Sequence, residues 1–92
     1  MKTPKGKEVF VFDNEGRSFD RFTIVVKEDA MLFGASNHPF HPQGFGQFCG
    51  DTGYPEDYIK RARGNPEWLG KEITLFSELP EDVQKYVEQV SE

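Results

Sequence analysis

Between Ser36 and Gly53 the chain carries Pro39, Pro42, Gly44, Gly46, Gly50 and Gly53, set among His38, Phe40, His41, Phe45, Phe48 and Cys49. Proline removes an amide donor and fixes φ, while glycine weakens any regular element it interrupts, so neither a long helix nor a central strand can run through this stretch. The segment reads as a long irregular connection that parts a β-rich region from a helix-rich one. Within it, Pro42 suits the first position of a short helix. Phe45, Phe48 and Cys49 then share a face at i, i+3 and i+4, with Gly50 as the stop, which predicts one or two helical turns.

On the N-terminal side, Met1 to Lys7 is rich in Lys, Pro and Gly without apolar periodicity, so residues 1–7 read as a frayed, disordered leader and 8–92 as a single domain. Val9-Phe10-Val11-Phe12 is dense in β-formers and is followed by the turn chemistry of Asp13-Asn14-Glu15-Gly16. The returning strand, Phe19 to Lys27, places Phe22, Ile24 and Val26 on one face and Arg21, Thr23, Val25 and Lys27 on the other, the pattern of a sheet with one buried face. Met31 to Ala35 reads as a third strand of an antiparallel meander.

Beyond the irregular connection, Asp51 or Thr52 is placed to cap a helix from about Pro55 to Ala62, with Tyr58, Ile59 and Ala62 on one face; Gly64-Asn65-Pro66 ends it. Glu72 to Phe76 alternates as a short fourth strand. Pro80 and the acids Glu81 and Asp82 open a final helix to about Val90, whose Leu79, Val83, Tyr86, Val87 and Val90 form one apolar stripe. These elements predict an α+β fold: a mostly antiparallel four-stranded sheet, the C-terminal helix packed across one face, and the long Gly/Pro/aromatic loop.

Ninety-two residues leave no room for a second independent core. Nine Phe, three Tyr and one Trp must supply much of the one that forms, and a homo-oligomer would enlarge it. A formal net charge of -5 has the wrong sign for a generic phosphate-backbone binder, which argues against non-specific nucleic-acid binding. The longest apolar stretch, near Phe22 to Val26, is far short of the ~20 residues that span a bilayer, so no membrane partner is expected. One cysteine and no signal-like leader point to the cytosol.

Three chemistries compete for the irregular segment. His38, His41 and Cys49 are ligand types for zinc, but HxxH on a Pro-flanked loop has no helix to align it and no fourth ligand nearby except Asp51. A thiol enzyme on Cys49 with His38 or His41 has the right residue types, yet lacks an evident oxyanion hole and cleft; free cysteine is usually a small core hydrophobe, so Cys49 is expected to be buried and inert. The third reading is a recognition loop. Asn37, His38, His41, Gln43 and Gln47 offer hydrogen bonds to a planar heterocycle or a peptide edge, Phe45 can stack, and the glycines permit close approach. Its bland counterpart is a compact loop packed on its own aromatics. Arg17 and Arg21, with Lys60, Arg61 and Arg63, are the cations able to meet phosphates if the fold brings them near.

The runs Gly16…Phe19-Asp20-Arg21-Phe22-Thr23, Phe33-Gly34-Ala35-Ser36-Asn37-His38-Pro39, Pro42-Gln43-Gly44-Phe45-Gly46-Gln47-Phe48-Cys49-Gly50, Leu69-Gly70-Lys71-Glu72 and Leu79-Pro80-Glu81-Asp82-Val83 together resemble a group of small proteins encoded by tailed bacteriophages and prophages. The resemblance covers about two-thirds of the chain. It implies a phage-encoded protein in the cytoplasm of an infected bacterium, and small acidic proteins of that kind are commonly accessory factors that occlude a host defence protein or sequester a signalling molecule. The expectation is therefore a non-enzymatic binding protein with no cofactor and no metal, whose partner is a host protein or a small nucleotide-like ligand. A Cys49 thiol enzyme and a small zinc module remain the alternatives.

Zinc separates these readings most cheaply. Purified protein is expected to carry no stoichiometric metal and to melt at the same temperature with and without EDTA; elemental analysis finding about one zinc per chain reassigns the loop to a metal-built structure.

Overall fold

A computed structural model describes residues 1–17, 21–35 and 49–92. Strands β1 (Val9–Asp13), β2 (Phe22–Val26), β3 (Met31–Ala35) and β4 (Cys49–Asp51) are followed by helices α1 (Pro55–Gly64) and α2 (Pro66–Leu69). Strand β5 (Lys71–Ile73), a 3-10 turn at Phe76–Glu78 and helix α3 (Glu81–Val90) complete the chain. The strands form one antiparallel sheet in the order β4-β3-β2-β1-β5. The fold is α+β with a C-terminal helix, and the four expected strands are β1, β2, β3 and β5.

The hairpin register pairs Val11 with Ile24 and Phe12 with Thr23. Alternation then sends Val9, Val11, Phe22, Ile24 and Val26 to one face, where they pack with Leu79, Val83, Tyr86 and Val87. The stripe read from the sequence is the face by which α3 covers the sheet, and Val90 packs at its margin. Burying each of these aliphatic side chains contributes roughly 1.5–3 kcal/mol, which far exceeds any capping or surface term on so short a helix.

The opposite face departs from the expectation of one buried side. Phe12 and Val25 are fully buried there, in a cluster with Leu32 and with Ile59 and Ala62 of α1. Helices therefore cover both faces of the central strands. The physical reason stands in the residues themselves: Phe12 and Val25 are apolar, and a sheet face carrying them must find a cover.

Three further details differ from the sequence reading. Cys49 and Gly50, expected at the end of a short helix, extend instead beside β3, with Phe33 opposite Cys49 and Leu32 opposite Gly50. The open backbone edge of β3 offers a ladder that outweighs a three-residue helical spacing; the earlier part of that expected helix lies outside the described residues. Thr52 does not cap α1: Tyr54 holds the N-cap position, with Pro55 directly after it, while the Thr52 amide and hydroxyl donate to Ala30 O (2.9 and 3.0 Å) and tie it to the turn before β3. The N-terminal segment read as a frayed leader carries hydrogen bonds of its own. Val9 N–H donates to Met1 O (2.9 Å), Lys7 N–H to Thr3 Oγ1 (3.1 Å), and Thr3 is buried.

Gly70 turns α2 into β5 at a φ of +88°, where β5 runs against the end of β1. A Cβ there would collide with Asp13 O and stand 2.7 Å from Asp13 C, so both the backbone conformation and the space call for glycine. Gly70→Ala is expected to cost about 2–4 kcal/mol and to lower the thermal midpoint by roughly 10 °C or more, followed by circular dichroism. Gly64→Ala, in open space at the end of α1, is expected to leave the midpoint unchanged or slightly raised.

Candidate functional site

Asn37, His38, His41, Gln43, Phe45 and Gln47 lie outside the described residues, as does the side chain of Cys49. Arg17 and Arg21 are described, and both are held at the β1–β2 end of the sheet. Arg21 forms a fork on Asp13, with Nε to Oδ1 at 2.8 Å and Nη2 to Oδ2 at 3.0 Å, and its guanidinium lies 4.8 Å from the Phe22 ring centre. Arg17 donates from Nε to Asn14 O and from Nη2 to Pro66 O, each at 3.0 Å. These are latches between the hairpin turn and its neighbours. A ligand reaching either guanidinium competes with bonds already made.

The carboxylate of the first latch is tuned accordingly. Burial pushes Asp13 up, but the Arg21 bond, the Glu15 amide bond (2.7 Å) and the charges of Arg21 and Lys71 outweigh it and hold the group below its ordinary value. A second fork joins Arg63 of α1 to Glu72 of β5 at 2.7 and 2.9 Å, and the Arg63 bond lowers Glu72 in the same way.

The remaining cations of α1 stand differently. Among the described residues Lys60 and Arg61 make no ion pair. Arg61 instead places its guanidinium 4.4 Å from the Trp68 ring centre, and Tyr58 meets Trp68 edge-on at 5.2 Å. The local cause is the break at Asn65-Pro66: α1 ends at Gly64, α2 starts at Pro66, and the reversal brings Trp68 back against α1. Tyr54, just before Pro55, is 79% exposed, while Trp68 is 37% exposed.

Two clefts flank Tyr54. One of about 450 Å3 is lined by Lys27, Tyr54, Pro55, Glu56 and Asp57. The other, of about 210 Å3, is lined by Thr52, Gly53, Tyr54, Asp57, Tyr58 and Arg61. Burial raises the Tyr58 phenol, partly countered by the Arg61 charge, so its hydroxyl stays a donor at neutral pH. The arrangement offers aromatic faces, a guanidinium edge, a phenol donor and a carboxylate acceptor on one open ledge. Arg61 is one of the cations that the sequence offers to phosphates, whereas Tyr54 and Trp68, counted there among the aromatics that must supply the core, stand exposed on this ledge. The usable signal was the Asn65-Pro66 break, which forces the chain to double back.

Among the described residues no group of three or more His, Cys, Asp or Glu side chains is placed to hold a metal ion, and no helix is long and apolar enough to cross a membrane. A scan of protein-family models matches none to this chain, and searches of the curated proteins and of the solved structures find no match.

The latches imply a pH dependence with a definite sign. Asp13 and Glu72 have folded values below their unfolded ones, so their contribution is complete above the ordinary carboxylate range and is lost as acid protonates them below about pH 4. Asp13→Asn is expected to cost roughly 1 kcal/mol at neutral pH, discounted because Arg21 is partly exposed, and to flatten the acid limb of a urea-stability profile. An unchanged acid limb contradicts this assignment.

Proposed function

We propose that the chain is a non-enzymatic binding protein, a phage-type accessory factor that acts in the cytoplasm of an infected bacterium by holding a host factor or a small nucleotide-like ligand and so countering a host defence. The observation that carries the reading is the ledge of Tyr54, Tyr58, Arg61 and Trp68. Tyrosine, tryptophan and arginine are the side chains in which binding energy concentrates, because each brings a large rigid contact area together with a polar tip.

Exposure adds to this support. Tyr54, Trp68 and Leu75 are the large apolar side chains left exposed among the described residues, and two of the three belong to the ledge. Chain continuity links the ledge to the sequence-derived recognition residues. The segment holding Asn37, His38, His41, Gln43, Phe45 and Gln47 leads into β4, and β4 leads through Thr52 to Tyr54. Arg17 and Arg21 enter the proposal only as supports of the hairpin end, since Nε and Nη2 of each are engaged there.

The test is capture from lysate of infected cells, with native mass spectrometry of whatever is held, protein or small molecule. Wild-type protein is expected to retain one partner at fixed stoichiometry. A Tyr54→Ala/Trp68→Ala variant and a His41→Ala/Phe45→Ala variant are each expected to lose at least about tenfold in affinity while keeping their thermal midpoints. A partner retained equally by both variants, or no saturable partner at all, overturns the proposal.

A further inference from the structure

Resting on the binding reading above, we infer that the smaller cleft beside Tyr54 takes a nucleotide: a planar base bearing N–H donors, joined to a single phosphate. Arg61 supplies the anion site. Its Cζ lies 4.4 Å over the Trp68 ring centre, and a guanidinium held there carries five N–H donors along its edge, more than one ring can engage, so donors are left for an anion. Among the described residues no carboxylate takes that edge, although Asp57 lies one helical turn away and lines the same cleft.

Asp57 makes the site selective. A bare anion near Arg61 meets the Asp57 carboxylate as well and gains little. A ligand that carries its own N–H donors turns Asp57 into a partner. Guanine fits best, because adjacent imino and amino hydrogens match the two oxygens of one carboxylate. The Tyr54 ring, 79% exposed and lining the cleft, provides the stacking face, and the Tyr58 hydroxyl provides one more donor. Among the described residues Arg61 is the one cation on the lining of this cleft, so the cleft presents one anion site, the number a single phosphate needs.

Trp68 is the only tryptophan of the chain and touches Arg61, so its fluorescence reports occupancy directly. Titrations of the full chain with guanosine monophosphate, adenosine monophosphate, guanosine and inorganic phosphate test the inference. Saturable quenching by guanosine monophosphate is expected, with guanosine and phosphate each weaker by at least about tenfold. Tyr54→Ala is expected to weaken the nucleotide by roughly tenfold or more without moving the thermal midpoint, and Asp57→Asn to erase the preference for guanine over adenine. Quenching by phosphate equal to that by nucleotide, an unchanged affinity in Tyr54→Ala, or no saturation into the millimolar range overturns the nucleotide assignment. Nucleotide silence combined with capture of a protein that depends on Tyr54 overturns this inference alone and leaves the binding reading standing.

Discussion

Strands β1 and β2 are apolar on both faces, and covering those two faces decides where every other element goes. Val9, Val11, Phe22, Ile24 and Val26 demand one helix, which α3 provides with Val83, Tyr86 and Val87. Phe12 and Val25 demand another, and α1 answers with Ile59 and Ala62. Once α1 is fixed on that second face, the chain between Thr52 and Gly70 has little freedom. It must leave β4, lay down α1, reverse at Asn65-Pro66 and return to pair β5 with β1. The aromatic ledge is a product of that path, because the reversal is what sets Trp68 against Tyr58 and Arg61.

Arginine does two kinds of work here, and the surroundings decide which. Arg17, Arg21 and Arg63 each sit where a carbonyl or carboxylate is already fixed by the sheet or its turns, so their forks close on Asn14 O, Pro66 O, Asp13 and Glu72. A bidentate fork on a partner held in place loses little side-chain entropy for the bonds it makes. Arg61 has only Asp57 within one turn of its own helix, a mobile exposed pair of the sort that contributes a few tenths of a kcal/mol, about 0.3–0.5. The Trp68 ring competes successfully against so weak an alternative.

The parts of this fold legible in the sequence are those where one periodicity acts alone. Leu79, Val83, Tyr86, Val87 and Val90 repeat at helical spacing in a polar background, and Met31–Ala35 stands between clear turn signals, so α3 and β3 follow from pattern. Val25 was harder to read. In alternation with Phe22, Ile24 and Val26 it falls on the face with Thr23 and Arg21, and only the presence of α1 shows that this face is buried too. Cys49–Asp51 was illegible for a related reason: its extended form comes from the β3 edge beside it, a long-range pairing that no local propensity contains. The ledge was half legible. Arg61 and Trp68 are plain in the sequence, but their meeting depends on the angle between two helices.

The chain's net charge constrains how such a ledge operates. At -5 overall, an anionic ligand is repelled at a distance, and screening confines any attraction by Arg61 to within about 8–10 Å at ordinary ionic strength. On the proposed binding reading, recognition would have to arise at contact, where a ligand displaces water from around the guanidinium. With Trp68 beside Arg61 and with Tyr54 and Tyr58 lining the adjoining cleft, a ligand seated among them would lower the dielectric around the guanidinium and strengthen the short-range bond without extending its reach. A basic patch would gather anions of every kind. If the ledge binds as proposed, an aromatic-framed cation on an acidic protein would respond instead to a ligand that fills the frame, its selectivity resting on shape and hydrogen bonding more than on charge.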